Sequence, residues 1–404
     1  MTQPKDSKNS EFFKKLMIGF CQESDPIKEM MQWMVNQLME IEVTTLKTEV
    51  EKGKHSGERK TQRNGYRVRR WDTRIGTIYL TVPKVRSGGY QPFFLVNRQR
   101  SESAMMSVIQ ECWINGISTR KMERVFKSFG IEDISAGQVS QVTKELDAEV
   151  TQFRKSNLNA SYPVVWIDAL YEKIRGEDRK VTHKAIMIAM AINADGQKEL
   201  LAIEPMDNES TDTWTLFFDK LKSRGITQIG LLVSDAHQGI RSALKSAFLG
   251  TAWQRCKVHF MRNILARVPH KHKEMIGKQL CTIFNQSNYD QAKQTAKEVM
   301  SKCKAQFPDA MECLADGLED ALQFFHFEEL PFRRTSSTNH LERLNREIRR
   351  RSRVVGTFPS TDSFLRLIGS YLIEYQADWS SEKAYINPDR LALFQSNLSA
   401  QIAA

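Results

Sequence analysis

The 404-residue chain has no C-x-x-C pair: Cys21, Cys112, Cys256, Cys281, Cys303 and Cys313 are scattered, which excludes a paired-cysteine module. No apolar leader core follows the polar start, which carries Lys5 and Lys8, so a reduced, cytoplasmic setting is expected. No uninterrupted apolar run comes near the roughly 18 residues of a helical membrane span. Acidic residues are also in deficit: 48 Asp and Glu against 59 Lys and Arg leave a formal charge of +11. That surplus favours a polyanionic partner through long-range attraction and counterion release, although basic proteins that bind no nucleic acid share it. What the chain does have is 41% hydrophobic residues, enough for more than one core and for roughly two to four structural units.

Residues 12–49 have a helical pattern in which Ile27, Met31, Met34, Leu38 and Ile41 recur at steps of four and three, predicting a core-facing or self-associating face. Between residues 51 and 74 three glycines break the periodicity and nine basic residues outnumber three acids. This stretch is either a solvated linker or an arm that follows phosphates, with Arg63, Arg67 and Arg69 as candidate contacts. Residues 74–83 are predicted as a strand, the first of a small hairpin that turns at Ser87, Gly88 and Gly89 and returns over 91–96. Helices over 102–115 and 118–129 follow. A third begins at Ser135, where Ser135 and Gln138 have capping-box spacing, and continues toward residue 150. The three form either a helix-turn-helix-like unit, with Gln138, Ser140, Gln141 and Lys144 available to phosphates or base edges, or an ordinary helical connector.

Beyond residue 157 the texture is α/β. Strands are predicted at 163–170, 185–192, 200–203, 229–233 and 251–257, and helices at 213–224 and 239–248. This order suits three hairpin-connected strands followed by parallel strands reached through helices. A mostly helical stretch over 258–330, a polar turn at 333–338 and further helices complete the chain.

Asp168 interrupts an apolar strand and Asp235 lies immediately past another. An unpaired carboxylate in such a place costs several kcal/mol or shifts its pKa, so each must be solvated, hydrogen-bonded or metal-bound. A turn-forming aspartate after a strand is the structural alternative for Asp235. Glu342 lies in TSSTNHLERLNREIRRRSR, where Leu341, Leu344 and Ile348 share one helical face while Glu342, Asn345, Arg346 and Arg349 share another. There the structural alternative is a capping box, with Asn339 as cap and Glu342 as its third-position acid. Three hard oxygen donors suit a pair of divalent ions about 3.5 to 4 Å apart acting on a phosphodiester. Six arginines between 343 and 353 could hold its strands, with Arg343, Arg346, Arg349 and Arg350 as DNA contacts. Cys256 and His259 form a C-K-V-H tetrad that is either half a zinc site or a local packing and hydrogen-bonding pair.

At these residues the sequence resembles the Mutator-type family of bacterial insertion-sequence transposases, within the DDE class. The resemblance runs over 63–379 through RNGYRVR (63–69), GISTRKMERV (116–125), S-x-x-x-V-S (135–140), PVVWIDALY (163–171), SDAHQG (234–239), WQRCKVHFMRN (253–263), TNHLERLNREIRRRSRVVGTFP (338–359) and the apolar stretch 364–379. It implies an α/β fold with an RNase H-like mixed-sheet catalytic domain carrying a helical insertion, preceded by helical DNA-binding elements. The implied division is an N-terminal helical region (1–50), a basic linker and hairpin (51–100), a helix-turn-helix-like region (101–156), the first part of the catalytic core (157–260), the insertion (261–332), the closing helices (333–380) and a tail (381–404). Asp168, Asp235 and Glu342 would bind two Mg²⁺ ions, with Mn²⁺ as a substitute, and the Cys256–His259 tetrad matches the family's cysteine-histidine signature. The implied partners are double-stranded DNA with terminal inverted repeats, target DNA and further copies of the chain in a dimer or higher oligomer. The implied setting is the nucleoid of a bacterium. Two departures stand out: Ala236 and His237 follow the second aspartate where many relatives have glycine, and RKSNL (154–158) replaces an R-P-L-like connector. An inactive DNA-binding repressor and a nuclease without joining activity are the rival readings.

Overall fold

The computed structural model describes residues 6–45, 61–87, 89–95, 103–132, 134–380 and 384–403. It divides into two units, Met1–Lys144 and Glu145–Ala404.

In the first unit, helices α1 (Asp6–Cys21) and α2 (Pro26–Val43) precede a hairpin of β1 (Arg63–Thr73) and β2 (Gly76–Val85), then α3 (Ser103–Ile114), α4 (Thr119–Ser128) and α5 (Ala136–Thr143). Of the expected apolar stripe of α2 only Met31 packs against a core; Ile27, Met34, Leu38 and Ile41 are exposed. A second stripe, Val35 and Met39, packs instead with Ile78, Leu80 and Val82 of β2. Gln32 and Asn36 settle the choice, because their side-chain oxygens accept the backbone N–H groups of Tyr79 and Thr81, each at 2.9 Å.

The hairpin also differs from expectation, since the strand over 76–85 pairs with 63–73 before it and the chain turns at Gly76, whose φ is +115°. Residues 63–73 are therefore strand and not linker. Their charged side chains hide the pattern, and burial is confined to Trp71, Asp72 and Thr73. No strand is described over 89–95, and residues 51–60 of the basic stretch lie outside the described residues. Around α3–α5, Met105, Ile109, Met122, Phe126, Ile131, Ile134 and Val139 form a small core. The Ser135–Gln138 capping box is present, but α5 stops at Thr143.

The second unit opens with α6 (Leu146–Lys155), so the helix expected to run toward residue 150 is two helices in two units. Then come β3 (Ser161–Arg175), β4 (Val181–Ile192), β5 (Lys198–Met206), α7 (Thr211–Ser223), β6 (Gln228–Ser234), α8 (Gln238–Ala247) and β7 (Ala252–Arg255). The sheet order is β5-β4-β3-β6-β7. The first three strands are antiparallel, and β6 and β7 continue parallel to β3, as the order of strand and helix signals predicts. Val165 and Ile167 of β3 share a core with Trp214, Phe217, Phe218 and Leu221 of α7 and Ile240, Ala243 and Leu244 of α8. By strand alternation Trp166 and Asp168 point to the opposite face.

Helices α9 (Lys257–Ala266), α10 (Lys273–Phe284), α11 (Tyr289–Cys303) and α12 (Pro308–Ala321) enclose a core of their own between Phe260 and Phe324. The chain returns through α13 (Phe332–Thr335), α14 (Asn339–Val355) and α15 (Thr361–Ser380). The segment expected as a tail contains α16 (Pro388–Ala403). Its buried Phe394 lies so close to Gly230 of β6 that a Cβ there would stand 2.6 Å from the ring. Among the described residues no helix is long and apolar enough to cross a membrane.

Candidate active site

Register alone brings the two aspartates together. Trp166 of β3 pairs with Val233 of β6 in parallel; Asp168 lies two residues farther on in β3, and Asp235 two residues farther on, just past the end of β6. Helix α14 lies along this face of β3. His340 meets the Trp166 ring edge-on at 5.9 Å, Asn345 Nδ2 donates to Asp168 Oδ2 at 2.8 Å, and Ser352 Oγ donates to Glu172 Oε1 at 2.8 Å. The other Asp168 oxygen accepts the Ala169 N–H at 3.0 Å. Burial, and then the negative charge of Asp235, push the Asp168 carboxyl up to about 6. The carbonyl oxygen of buried Asn345, beside Asp168, has no hydrogen-bond partner.

Glu342 lies one turn before Asn345 on α14. Arg262 of α9 donates to its two oxygens at 2.6 and 3.3 Å, and His259 Nε2 is 3.2 Å from Oε1. The hydrogen bond to Cys256 raises the His259 imidazole to about 8, and the charges of Asp168 and Glu342 add to this. His259 thus feels both acids. The capping alternative for this helix fails, because Thr338 is the N-cap and Asn339 is already its first helical residue. Thr338 Oγ1 turns instead to Cys256 Sγ at 3.3 Å. Among the described residues no three His, Cys, Asp or Glu side chains stand together in metal-holding geometry. Within the tetrad, Cys256 and His259 are linked by a side-chain hydrogen bond.

One acid escaped the sequence reading. Glu209 lies in the connection from β5 to α7, and its carboxyl is raised by burial and then by the charge of Asp235, while a Tyr171 hydrogen bond opposes this. The turn carrying it is brought to Asp235 by Gly239, where a Cβ would lie 2.9 Å from Thr211 N and 3.0 Å from Ser210 C. Its only sequence signal is a position just past a strand and just before the Ser210–Thr213 capping box. Arg262, which carries no periodic signature, was missed as well.

The basic candidates divide. Arg343, Arg346 and Arg349 are exposed along α14, whereas Arg350 pairs with Glu347 at 3.1 Å. In the first unit Ser140, Gln141 and Lys144 are exposed on and just after α5, while the Gln138 side chain accepts the Ser135 N–H in the capping box. Arg63 is held within its own unit by Glu40 at 2.6 Å and Thr44 at 2.7 Å. Arg67 is exposed, and Arg69 is held below the usual guanidinium range by burial and then by the charge of Arg67.

A sequence profile described as "Transposase, Mutator family" matches residues 1–382. The chain is 34% identical over 394 residues to the transposase for insertion sequence element IS256 in transposon Tn4001 of Staphylococcus aureus, covering 96% of this chain and 100% of that one. It is 37% identical over 347 residues to the transposase for insertion sequence element IS1081 of Mycobacterium tuberculosis, covering 85% and 83%. A solved structure, the Drosophila P element transposase strand transfer complex, aligns with a TM-score of 0.32 and 12% identity over 76% of this chain and 85% of that one. With the profile spanning nearly the whole chain and these identities holding over most of it, the protein belongs to the Mutator family of transposases.

Proposed function

We propose that this transposase binds the terminal inverted repeats of an insertion element, and that Asp168, Asp235 and Glu342 serve direct phosphoryl transfer on an RNase H-like unit. The observation that carries the reading is that Asp235, just past the end of β6, lies close enough to Asp168 of the neighbouring strand β3 for its charge to act on that carboxyl, beside the helix that bears Glu342. Two like charges in a partly buried place are mutually unfavourable, and a divalent cation relieves that repulsion. The donor set of hard carboxylate oxygens, with the unpartnered Asn345 oxygen beside it, suits Mg²⁺ or Mn²⁺. Asp168, Asp235 and Glu342 would hold two such ions, which when bound supply Lewis-acid activation of the attacking oxygen and stabilise the leaving one. Asn345 orients Asp168 through its amide. Arg262 and His259 hold the Glu342 carboxylate until it is needed at the acids. Exposed Arg343, Arg346 and Arg349 are assigned to DNA phosphates, and Ser140, Gln141 and Lys144 to recognition of the repeat. A dimer or higher oligomer on paired DNA ends is part of the same reading.

The test is cleavage of a duplex carrying one element end, with a target duplex present. Asp168→Asn and Glu342→Gln should each lower metal-dependent cleavage and joining by orders of magnitude while end binding survives. Full turnover in both variants refutes the roles given to these acids, and cleavage without joined products in the parent protein leaves a nuclease.

A further inference from the structure

Three elements of the site meet at one buried cysteine. Cys256, fully buried, follows β7 and caps α9. Its backbone N–H donates to the carbonyl oxygen of Ser234, the residue before Asp235, at 2.7 Å. Its sulfur accepts two hydrogen bonds from Thr338, from N–H and from Oγ1, each at 3.3 Å. The Thr338 carbonyl in turn accepts the Glu342 N–H at 3.0 Å, and Lys257 N–H donates to Ser336 O at 3.0 Å. His259, one turn along α9, stands 3.5 Å from Thr338 Oγ1 and 3.2 Å from Glu342 Oε1. The first turn of α14 is thus tied to the end of β6 through this residue.

We infer that Cys256 is a positioning residue of the phosphoryl-transfer site: as acceptor of both Thr338 hydrogen bonds, its sulfur sets the first turn of α14, and hence Glu342, at its distance from Asp235. The inference rests on the reading of the three acids given above. A buried free cysteine usually behaves as a small apolar group, but this one accepts two hydrogen bonds from Thr338, the N-cap residue of α14. Thr338 makes no side-chain capping bond to α14. Its N–H and hydroxyl both turn to the sulfur. Burial works against a charged sulfur, yet hydrogen bonds from His259 and Thr338 hold the thiol below its ordinary range, as suits an electron-rich acceptor. Removing the sulfur would leave the Thr338 N–H buried without this partner and its hydroxyl with only the 3.5 Å contact to His259, which costs more than loss of packing alone.

The experiment compares the full-length parent, Cys256→Ala, Cys256→Ser, Thr338→Val, the Ala/Val double variant and Asp168→Asn. It measures Mn²⁺ binding directly by electron paramagnetic resonance, cleavage of an element-end duplex, end binding and Tm. Cys256→Ala is expected to weaken both Mn²⁺ binding and cleavage by about 10- to 100-fold, the usual size for a group that orients a metal ligand, with end binding intact. Cys256→Ser, which keeps an acceptor, should recover part of both. Thr338→Val should have a similar effect, and the double variant should be no worse than Cys256→Ala, since both remove one interaction. Mn²⁺ binding and cleavage within twofold of the parent in Cys256→Ala overturn the inference. So does a loss that follows Tm alone, is not rescued by serine and adds to that of Thr338→Val. Should Cys256→Ala not fold, Cys256→Ser and Thr338→Val carry the same comparison. Full Mn²⁺ binding and cleavage in Asp168→Asn overturn the reading of the acids together with this inference, whereas an inactive Asp168→Asn beside an unimpaired Cys256→Ala overturns the role of Cys256 alone.

Discussion

Asp168 carries a charge that its surroundings resist. Its carboxyl stands at about 6 against an ordinary 3.8, through burial and then through Asp235. With a folded-state pKa above the unfolded one, the group favours folding while protonated. That contribution is complete below about pH 4 and is lost as pH rises through about 6. In metal-free buffer, Asp168→Asn is therefore expected to melt above the parent at pH 7.5 and to lose that advantage near pH 4. Each ~1 kcal/mol so gained is worth about 2–4 °C in a unit of this size. Added Mg²⁺ should raise the Tm of the parent but not that of the variant. A calorimetric series in pH with and without Mg²⁺ checks both statements, and identical melting of the two proteins at pH 7.5 would contradict the first. Asn345 acts through the same carboxylate, so Asn345→Ala should reduce cleavage by about 10- to 100-fold, read as initial rate at saturating DNA.

At the scale of elements, α2 shows that a periodic apolar pattern does not by itself say which face meets the core. It carries two apolar stripes one residue apart, and period alone does not rank them. The hydrogen bonds from Tyr79 and Thr81 to Gln32 and Asn36 select the stripe containing Val35 and Met39. Met39→Ala should accordingly cost about 2–5 kcal/mol. Leu38→Glu, on the exposed stripe, should stay within about 0.5 kcal/mol; chemical denaturation of the two variants checks the ranking. Gly239 poses the opposite problem, a close approach of two backbones. Gly239→Ala forces a methyl against Ser210 and Thr211 and should cost about 1–3 kcal/mol. It should also lower cleavage by moving the turn of Glu209 away from Asp235, measured beside Tm in the same preparation. The β1–β2 hairpin was half legible: β2 alternates clearly, but β1 is masked by its arginines and pairs backward, so the turn was expected on the wrong side.

For the whole molecule, the formal charge of +11 becomes a testable quantity through salt. If Arg343, Arg346 and Arg349 each contact a phosphate, replacing all three by alanine should flatten the plot of log affinity against log salt by roughly 2 to 3, at about 0.9 per contact. Binding isotherms at several salt concentrations measure this, and an unchanged slope would remove these residues from the interface. The C-terminal segment also belongs to the folded unit. Tyr385 and Ile386 N–H groups both donate to Gly196 O, and Phe394 is buried. A chain ended at Ser380 should melt well below the parent, whereas an ordinary tail would leave Tm unchanged. The amino-acid sequence by itself determined the five strands of the second unit's sheet, the helices α7 and α8 between them, the face of α7 that is buried, the capping box at Ser135 and the placing of Asp168 in, and Asp235 just past, an apolar strand. Those features follow from alternation, helical period and side-chain chemistry within a few neighbouring residues. Only the tertiary structure decided that Asp168 stands beside Asp235, that Arg262 and His259 occupy Glu342, that Arg63 turns inward to Glu40, and that Thr338 bonds a cysteine 82 positions away. Such outcomes depend on register between distant segments and on competition among several partners for one group, neither of which is written in any local stretch of chain.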